Sequence, residues 1–449
     1  MRRVERPLPL RAPETLTSAF ARFLKAQSSQ GALLLVSIGL ALIWANLPWG
    51  DTYEVFWDTD IALSFGRFQF RFTLHDMVNE GLMTLFFLLV GLEIKREILV
   101  GELASLKSSL LPMLAALGGM ALPALIYLIV NWGGATQGWA IPVATDIALV
   151  GGMMSLLRGR VPVSLQVFML ALAIVDDIIA IAIIAFFYSG SASLLPIAAL
   201  IVGLALLAGA NLLGVRHVAV YGALGLLIWF AMVRSGIHPT LAGVLLALVI
   251  PARSRVSPER FLKTGRRLIG QFAQEATEQS CVLGAEPMQE LARELKRSSI
   301  EVRPPLSLVE DGLGRWVAYV VMPLFALANG GIELNLGLVR GLWHPVVLGI
   351  VAGLVIGKQA GILLASLLSV RLRLAALPKG ASWLGLYGTG WLGGIGFTVA
   401  IFIATLAFEG AEILGAVKAG ILLASAVAGL GGWLVLRRLS PPQNQASDG

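Results

Sequence analysis

The sequence predicts an all-α membrane protein of twelve transmembrane helices with inverted repeats, discontinuous crossing helices at positions 4 and 11, and a small external β-hairpin. Three observations lead there. Of 449 residues, 57% are hydrophobic and 14% charged, with a mean hydropathy of +0.81, too few charges to cover a water-facing surface. Apolar runs of about 20 residues, the length that crosses roughly 30 Å of hydrocarbon, recur along nearly the whole chain. Two of those runs, one around Pro142 and one around Gly393, Gly394 and Gly396, contain residues that interrupt a continuous helix.

In order, the apolar segments start near residues 31, 74, 105, 138, 162, 194, 217, 236, 312, 342, 381 and 411. Residues 1–30 hold Arg2, Arg3, Arg6, Arg11, Arg22 and Lys25 but no apolar stretch. The run from Gly31 to Trp49 exceeds a signal-peptide core, so an uncleaved first span is expected. With the N-terminus inside, 27 Lys and Arg fall on cytoplasmic segments and four (Arg67, Arg71, Arg234, Arg340) on the opposite loops. Discounting the ten in the long loop 251–311 leaves 17 against 4, so both termini are placed in the cytoplasm. Arg315, Lys358 and Lys418 stay out of the count because they sit at helix ends or within a span. The net charge of +7 follows this topology, which removes the case for a nucleic-acid partner. The single Cys281 can form no internal disulfide.

The expected organisation is a cytoplasmic segment 1–30, a transporter domain 31–438 and a cytoplasmic tail 439–449. Two stretches within the domain do not span. In Ile61 to Phe72, Phe65, Phe68, Phe70 and Phe72 interleave with Ser64, Arg67, Gln69 and Arg71 around Gly66, the alternation of an external hairpin. Residues 252–305 are rich in Glu, Arg and Lys, with Leu262, Leu268, Phe272, Leu291 and Leu295 at roughly helical spacing, which predicts a mobile amphipathic helical insert.

The chemistry lies in charges inside the apolar segments, since each costs at least a few kcal/mol at the bilayer centre. Glu80, Asp146, Asp176, Asp177 and Lys358 are so placed. Asp176 and Asp177 are adjacent, pointing about 100° apart on a helix, so one can pair while the other binds. Two carboxylates in a low-dielectric site repel when both are ionised, and either a proton or a hard cation such as sodium relieves them. Competition between those two ligands is what an exchanger needs. A buried ion-pair network holding helices together is the competing structural reading. Lys358 offers a counter-charge to a neighbouring carboxylate, Asp176 above all, either releasable during a cycle or held as a permanent salt bridge.

Asp146 follows Pro142 and Thr145 in the first interrupted segment, and Thr398 follows the glycines of the second. Two broken helices at comparable positions predict an inverted repeat. Crossing half-helices would bring together two N-terminal ends, each about half a positive charge, and two C-terminal ends. Asp146 would neutralise the first pair and Lys358 the second. Glu93, Lys95, Arg96 and Glu97 close the second segment, about 20 Å along a helix from Glu80, and suit an ion-access funnel, a pH-sensing cluster or an ordinary solvated helix end. His238 titrates near physiological pH and either tunes activity or is a satisfied histidine at a helix start.

At these residues the chain closely resembles the bacterial NhaA-type sodium/proton antiporter family, over roughly residues 20–440. FFLLVGLEIKRE, GWAIPVATDIALV, ALAIVDDIIAIAII, RSGIHPTLAGV, WVAYVVMPLFALANGGI, GLVIGKQAGI and GGIGFTVAIFIATLAF carry the resemblance, in the family's order. It implies a multi-pass inner-membrane protein with broken fourth and eleventh helices, exchanging sodium or lithium electrogenically for more than one proton, with no cofactor. It also implies a homodimer formed through the hairpin. Carried over, Asp177 and Asp176 hold the ion and proton, Thr145 and Asp146 belong to the broken helices, and Lys358 accompanies Asp176. Glu93, His238 and Glu310 match positions linked to pH response.

The sequence departs from that pattern in three places. Glu80 stands where relatives carry a shorter Asp, though Asn79 before it is kept; the loop 252–305 is longer than the family's; and Gly314 stands where a pH-related His is sometimes found. Two other classes are possible for buried acids. A membrane-embedded aspartyl hydrolase would want its two acids on separate facing helices, and a cation channel would want repeated rings of ligands; this sequence has neither.

Overall fold

The computed structural model describes residues 16–65, 68–157, 159–189, 194–215, 217–254, 256–278 and 286–439. Gly66, Arg67, Arg158, Arg216, Arg255 and Cys281 lie outside the described residues, as do positions 1–15, with Arg2, Arg3, Arg6 and Arg11, and 440–449.

Backbone in hydrocarbon must satisfy its hydrogen bonds internally, and the chain does so almost wholly with helices. It begins with α1 (Leu16–Ala45) and α2 (Asp51–Trp57). An antiparallel hairpin follows, β1 (Asp60–Phe65) and β2 (Phe68–Thr73), with Ile61 opposite Phe72. Then come α3 (Leu74–Val100) and α4 (Leu106–Val130). A tight 3-10 helix over Thr136–Val143 precedes α5 (Ile147–Leu156), α6 (Val163–Phe187), α7 (Leu194–Leu212), α8 (Val218–Val233) and α9 (Leu241–Val249). The polar stretch after α9 folds as α10 (Pro258–Glu278) and α11 (Glu286–Glu301). Helix α12 (Pro305–Trp316) continues through a π-helical turn, Val317–Val321, into α13 (Met322–Asn329). The chain ends with α14 (Leu336–Gly341), α15 (Pro345–Arg371), α16 (Trp383–Gly393), α17 (Phe397–Ala407) and α18 (Ala411–Leu436).

Among the described residues, six segments are long and apolar enough to cross a membrane: α3, α4, Thr136–Leu156 (with its 3-10 helix and α5), α6, α15 and Glu412–Leu436. The pair α16 and α17, bent by 42° at its break, makes a seventh if taken as one span. Ser29–Ala45, Pro196–Leu212 and Val218–Val233 are apolar but shorter. Three boundaries differ from the hydropathy expectation by five residues or more, one being the segment expected from 312, which is helical from Pro305, a residue suited to a first helical turn. Helix α1 starts at Leu16 instead of near 31, because polar residues can continue a helix that hydropathy ends. The segment expected from 236 is helical only from Leu241, since Gly236 takes φ +81° and Pro239 follows it.

The chain packs as two compact units, Met1–Asn79 with Val100–Tyr188 and Met322–Gly449, and Glu80–Leu99 with Ser189–Val321. In the first unit, α4 and α15 meet backbone to backbone: a Cβ on Gly361 would lie 2.1 Å from the Gly118 carbonyl oxygen, and one on Gly118 would lie 2.5 Å from that of Gly361. Tyr53 of α2 accepts from the Gly331 N–H at 3.1 Å and reaches the Leu327 and Ala328 carbonyls, and burial pushes its phenol up to about 12. In the second unit, Gly243 of α9 lies against α3, where a Cβ would sit 2.2 Å from the Thr84 carbonyl oxygen.

Candidate functional site

Helix α6 is apolar on all sides and buries both of its acids near its midpoint, Asp176 at 1% exposure and Asp177 at 5%. Lys358, on α15, is fully buried and donates to Asp176 Oδ2 at 2.7 Å and to the Val143 carbonyl. The glycine contact three residues further along α15 brings Lys358 this deep, since a bulkier pair at positions 118 and 361 would hold the two backbones apart. Thr145 Oγ1 lies 2.7 Å from the same Asp176 Oδ2 and 2.9 Å from the Gly393 carbonyl oxygen, two acceptors for one hydroxyl hydrogen. Asp176 Oδ1 is buried with no hydrogen-bond partner in the structure. One carboxylate oxygen is therefore crowded by donors while the other stays open. Such an atom accepts a proton or a small cation at little rearrangement.

The chain between Val143 and Ile147 is not helical, and Asp146 occupies the N-cap of α5. Its Oδ1 accepts from the Leu149 N–H at 3.0 Å. Its Oδ2 accepts from the Thr398 N–H at 3.1 Å and from the Thr398 hydroxyl at 2.6 Å, in the first turn of α17. The Asp146 N–H donates to the Ile395 carbonyl at 2.6 Å, tying the two chain breaks together. One carboxylate thus faces two helix N-termini, whose orphan N–H groups and partial positive charges suit an anion. The Val143 and Gly393 carbonyls, at the ends of the 3-10 helix and of α16, lie on the Lys358 side and suit a cation.

Other sequence-predicted residues lie in the second unit. Glu80 sits in the π-helical turn Met77–Leu82 of α3, where its carbonyl accepts from Thr84 Oγ1 at 2.5 Å and from Trp229 Nε1 at 3.3 Å. Arg96 joins Glu310 at 2.6 Å and Glu97 at 3.5 Å, with Glu93 within electrostatic range of Glu310. Lys95 reaches past them to the end of α9, donating to the Leu248 and Ile250 carbonyls at 2.7 and 2.5 Å. His238 Nδ1 and Thr240 Oγ1 are 2.7 Å apart at the start of α9. Glu93, Arg96 and Glu310 are brought together, whereas His238 pairs with Thr240.

The family model for Na+/H+ antiporter 1 matches residues 21–436. The chain belongs to that family. The Na(+)/H(+) antiporter NhaA of Koribacter versatilis (strain Ellin345) is 43% identical over 441 residues, covering 98% of this chain and 94% of its own. That of Oleidesulfovibrio alaskensis is 45% identical over 440 residues, 96% of this chain and 97% of its own. That of Syntrophobacter fumaroxidans is 45% identical over 426 residues, 93% and 90%. Members of the antiporter family are secondary transporters, not enzymes.

Some members of the polar interior left little mark in the sequence of this antiporter-family chain. The Val143 and Gly393 carbonyls are backbone, which every residue carries. Lys418, set aside in the charge count, is buried in α18 and repels His75 electrostatically. Asn79 lies 3.2 Å from the His75 ring and accepts from Asn329 at 2.8 Å. A lysine inside an apolar run was the available signal, and Asn79 beside Glu80 was another.

Proposed function

We propose that the protein is an electrogenic sodium/proton antiporter, also accepting lithium, that exchanges cytoplasmic Na+ for more than one external H+ across a bacterial inner membrane. The carrying observation is Asp176, held by Lys358 and Thr145 on one oxygen, open on the other, and followed by a second buried acid. Without cargo, the Lys358 ammonium balances Asp176. Sodium entering between Asp177 and Asp176 takes their oxygens as ligands and competes with the ammonium for Asp176. Protons reaching the same carboxylates remove the charge that holds sodium, so either cargo expels the other. Asp146, tied to two helix N-termini, keeps the framework neutral while this happens.

The domain 31–438 is proposed to carry twelve spans in two inverted repeats. The fourth, with Thr145 and Asp146, and the eleventh, α16 with α17, are the discontinuous crossing pair. The hydrogen bonds joining Asp146 to Ile395 and Thr398 support that assignment. Both termini, 1–30 and 439–449, and the 251–311 insert face the cytoplasm, as the basic-residue bias favours. The hairpin 61–72 faces outward and pairs two copies. Glu93, His238 and Glu310 are proposed to adjust activity with pH, supported by the Arg96–Glu310 ion pair, with Glu80 as an accessory acid. The role for the cell is control of internal sodium and pH.

Everted vesicles carrying the protein test this. Adding sodium should dissipate a preformed pH gradient, and Asp177→Asn should reduce the response to that of empty vesicles. Sodium flux without proton countermovement would overturn the antiport reading in favour of a channel; an undiminished response in Asp177→Asn would overturn the site.

A further inference from the structure

Helix α10 turns about 100° per residue, so Leu262, Ile269, Ala273 and Ala276 fall within about 60° of one another. All four are exposed, Leu262 at 55% and Ile269 at 58%. A second face, with Leu268 buried and Phe261 and Phe272 half-buried, serves the packing of α10 on α11. Beside the exposed apolar stripe, Arg266, Lys263, Arg267 and Arg260 fan out over roughly 120°, all exposed and accompanied, among the described side chains, by one acid, Glu259. The helix therefore has three faces: one packed, one apolar but open, one basic.

The insert springs from a narrow base. The Leu306 N–H donates to the Pro251 carbonyl at 3.1 Å and the Val256 N–H to the Glu301 carbonyl at 3.3 Å. Eight residues separate Val249, the end of α9, from Pro258, a reach of at most about 32 Å. Helix α10 is thus tethered close to the end of an apolar helix, where a bilayer surface would lie.

We propose that α10 lies on the inner leaflet, with Leu262 and Ile269 in the headgroup boundary and Arg260, Lys263, Arg266 and Arg267 on anionic lipid headgroups. Charge complementarity commits it to that occupant: an apolar stripe bordered by cations matches an anionic membrane surface. The inference rests on the inside orientation given to residues 251–311 above.

Full-length protein with Cys281→Ser and a nitroxide on Ile269→Cys, or on Gln271→Cys on the face opposite the stripe, tests it in nanodiscs. In a phosphatidylcholine–phosphatidylglycerol mixture, the label at 269 should meet oxygen and be shielded from a water-soluble nickel reagent, while the label at 271 shows the reverse. Shielding at 269 should fall in pure phosphatidylcholine, and each Arg or Lys of the four changed to Gln should lower the bound-to-free ratio about fivefold. Equal nickel exposure at both positions in both lipids would overturn the proposal. So would shielding that persists without anionic lipid together with spin–spin broadening, the mark of a second copy covering the stripe. Sodium-driven transport by the same labelled protein keeps the two readings apart: transport with an exposed label sinks the leaflet contact alone.

Discussion

Asp146 and Asp176 are carboxylates of one packing unit, each 1% exposed, and their surroundings are opposite in kind. Asp146 is balanced by neutral donors anchored in backbone: the Leu149 and Thr398 N–H groups, helped by the Thr398 hydroxyl, have both oxygens engaged. Asp176 is balanced by a lysine on a four-carbon stem and by one hydroxyl, both on the same oxygen, with the other oxygen bare. Backbone dipoles cannot leave, so the first arrangement suits a fixed joint. A side-chain cation can swing aside, so the second suits exchange. Burial alone does not tell the two surroundings apart; the kind of counter-charge does.

The largest effect expected follows from removing the movable partner. Lys358→Met should leave Asp176 buried and uncompensated, costing about 3–5 kcal/mol in unfolding in detergent and abolishing sodium-driven transport. Adding Asp176→Asn to that variant should restore most of the stability and none of the transport, and a double variant as unstable as Lys358→Met would break the comparison. Asp146→Ala takes the acceptor away from the N–H donors of two helix starts, with an expected loss of about 2–3 kcal/mol by the same measurement. Thr398→Val removes one hydroxyl from Asp146 and should cost about 1.5 kcal/mol, with transport retained in vesicles. At Thr145, Ser should pass for wild type while Val costs about 1 kcal/mol or less in stability but slows transport, a dissociation that unfolding curves and vesicle rates together detect.

Charges inside oil are costly, and so Asp146, Asp176, Asp177 and Lys358 stood out of the sequence with no structure needed. That Lys358 should meet Asp176 followed from chemical complementarity, although the two are 182 positions apart. Thr398 was visible only as a neighbour of glycines, because hydroxyls are cheap in a helix and carry no comparable signal. Carbonyl acceptors such as Val143 leave no trace at all, since their availability depends on where a helix stops. Hydropathy fixed most helices but not their ends, as α1 and α9 show, because hydrogen bonding and glycine or proline geometry decide where a helix begins. Lys418 escaped for a related reason: a position counted along the chain says nothing of what surrounds it in space.

The Thr145 hydroxyl sits between a side chain and a main chain, 2.7 Å from one acceptor and 2.9 Å from the other. With Asp176 ionised, its hydrogen points to the carboxylate and the Gly393 carbonyl goes without. Once Asp176 carries a proton on its open Oδ1, Oδ2 loses its charge and becomes a weaker acceptor, and the threonine hydrogen turns to the Gly393 carbonyl. A titration event is thereby converted into a grip on the last turn of α16, through rotation about a single bond.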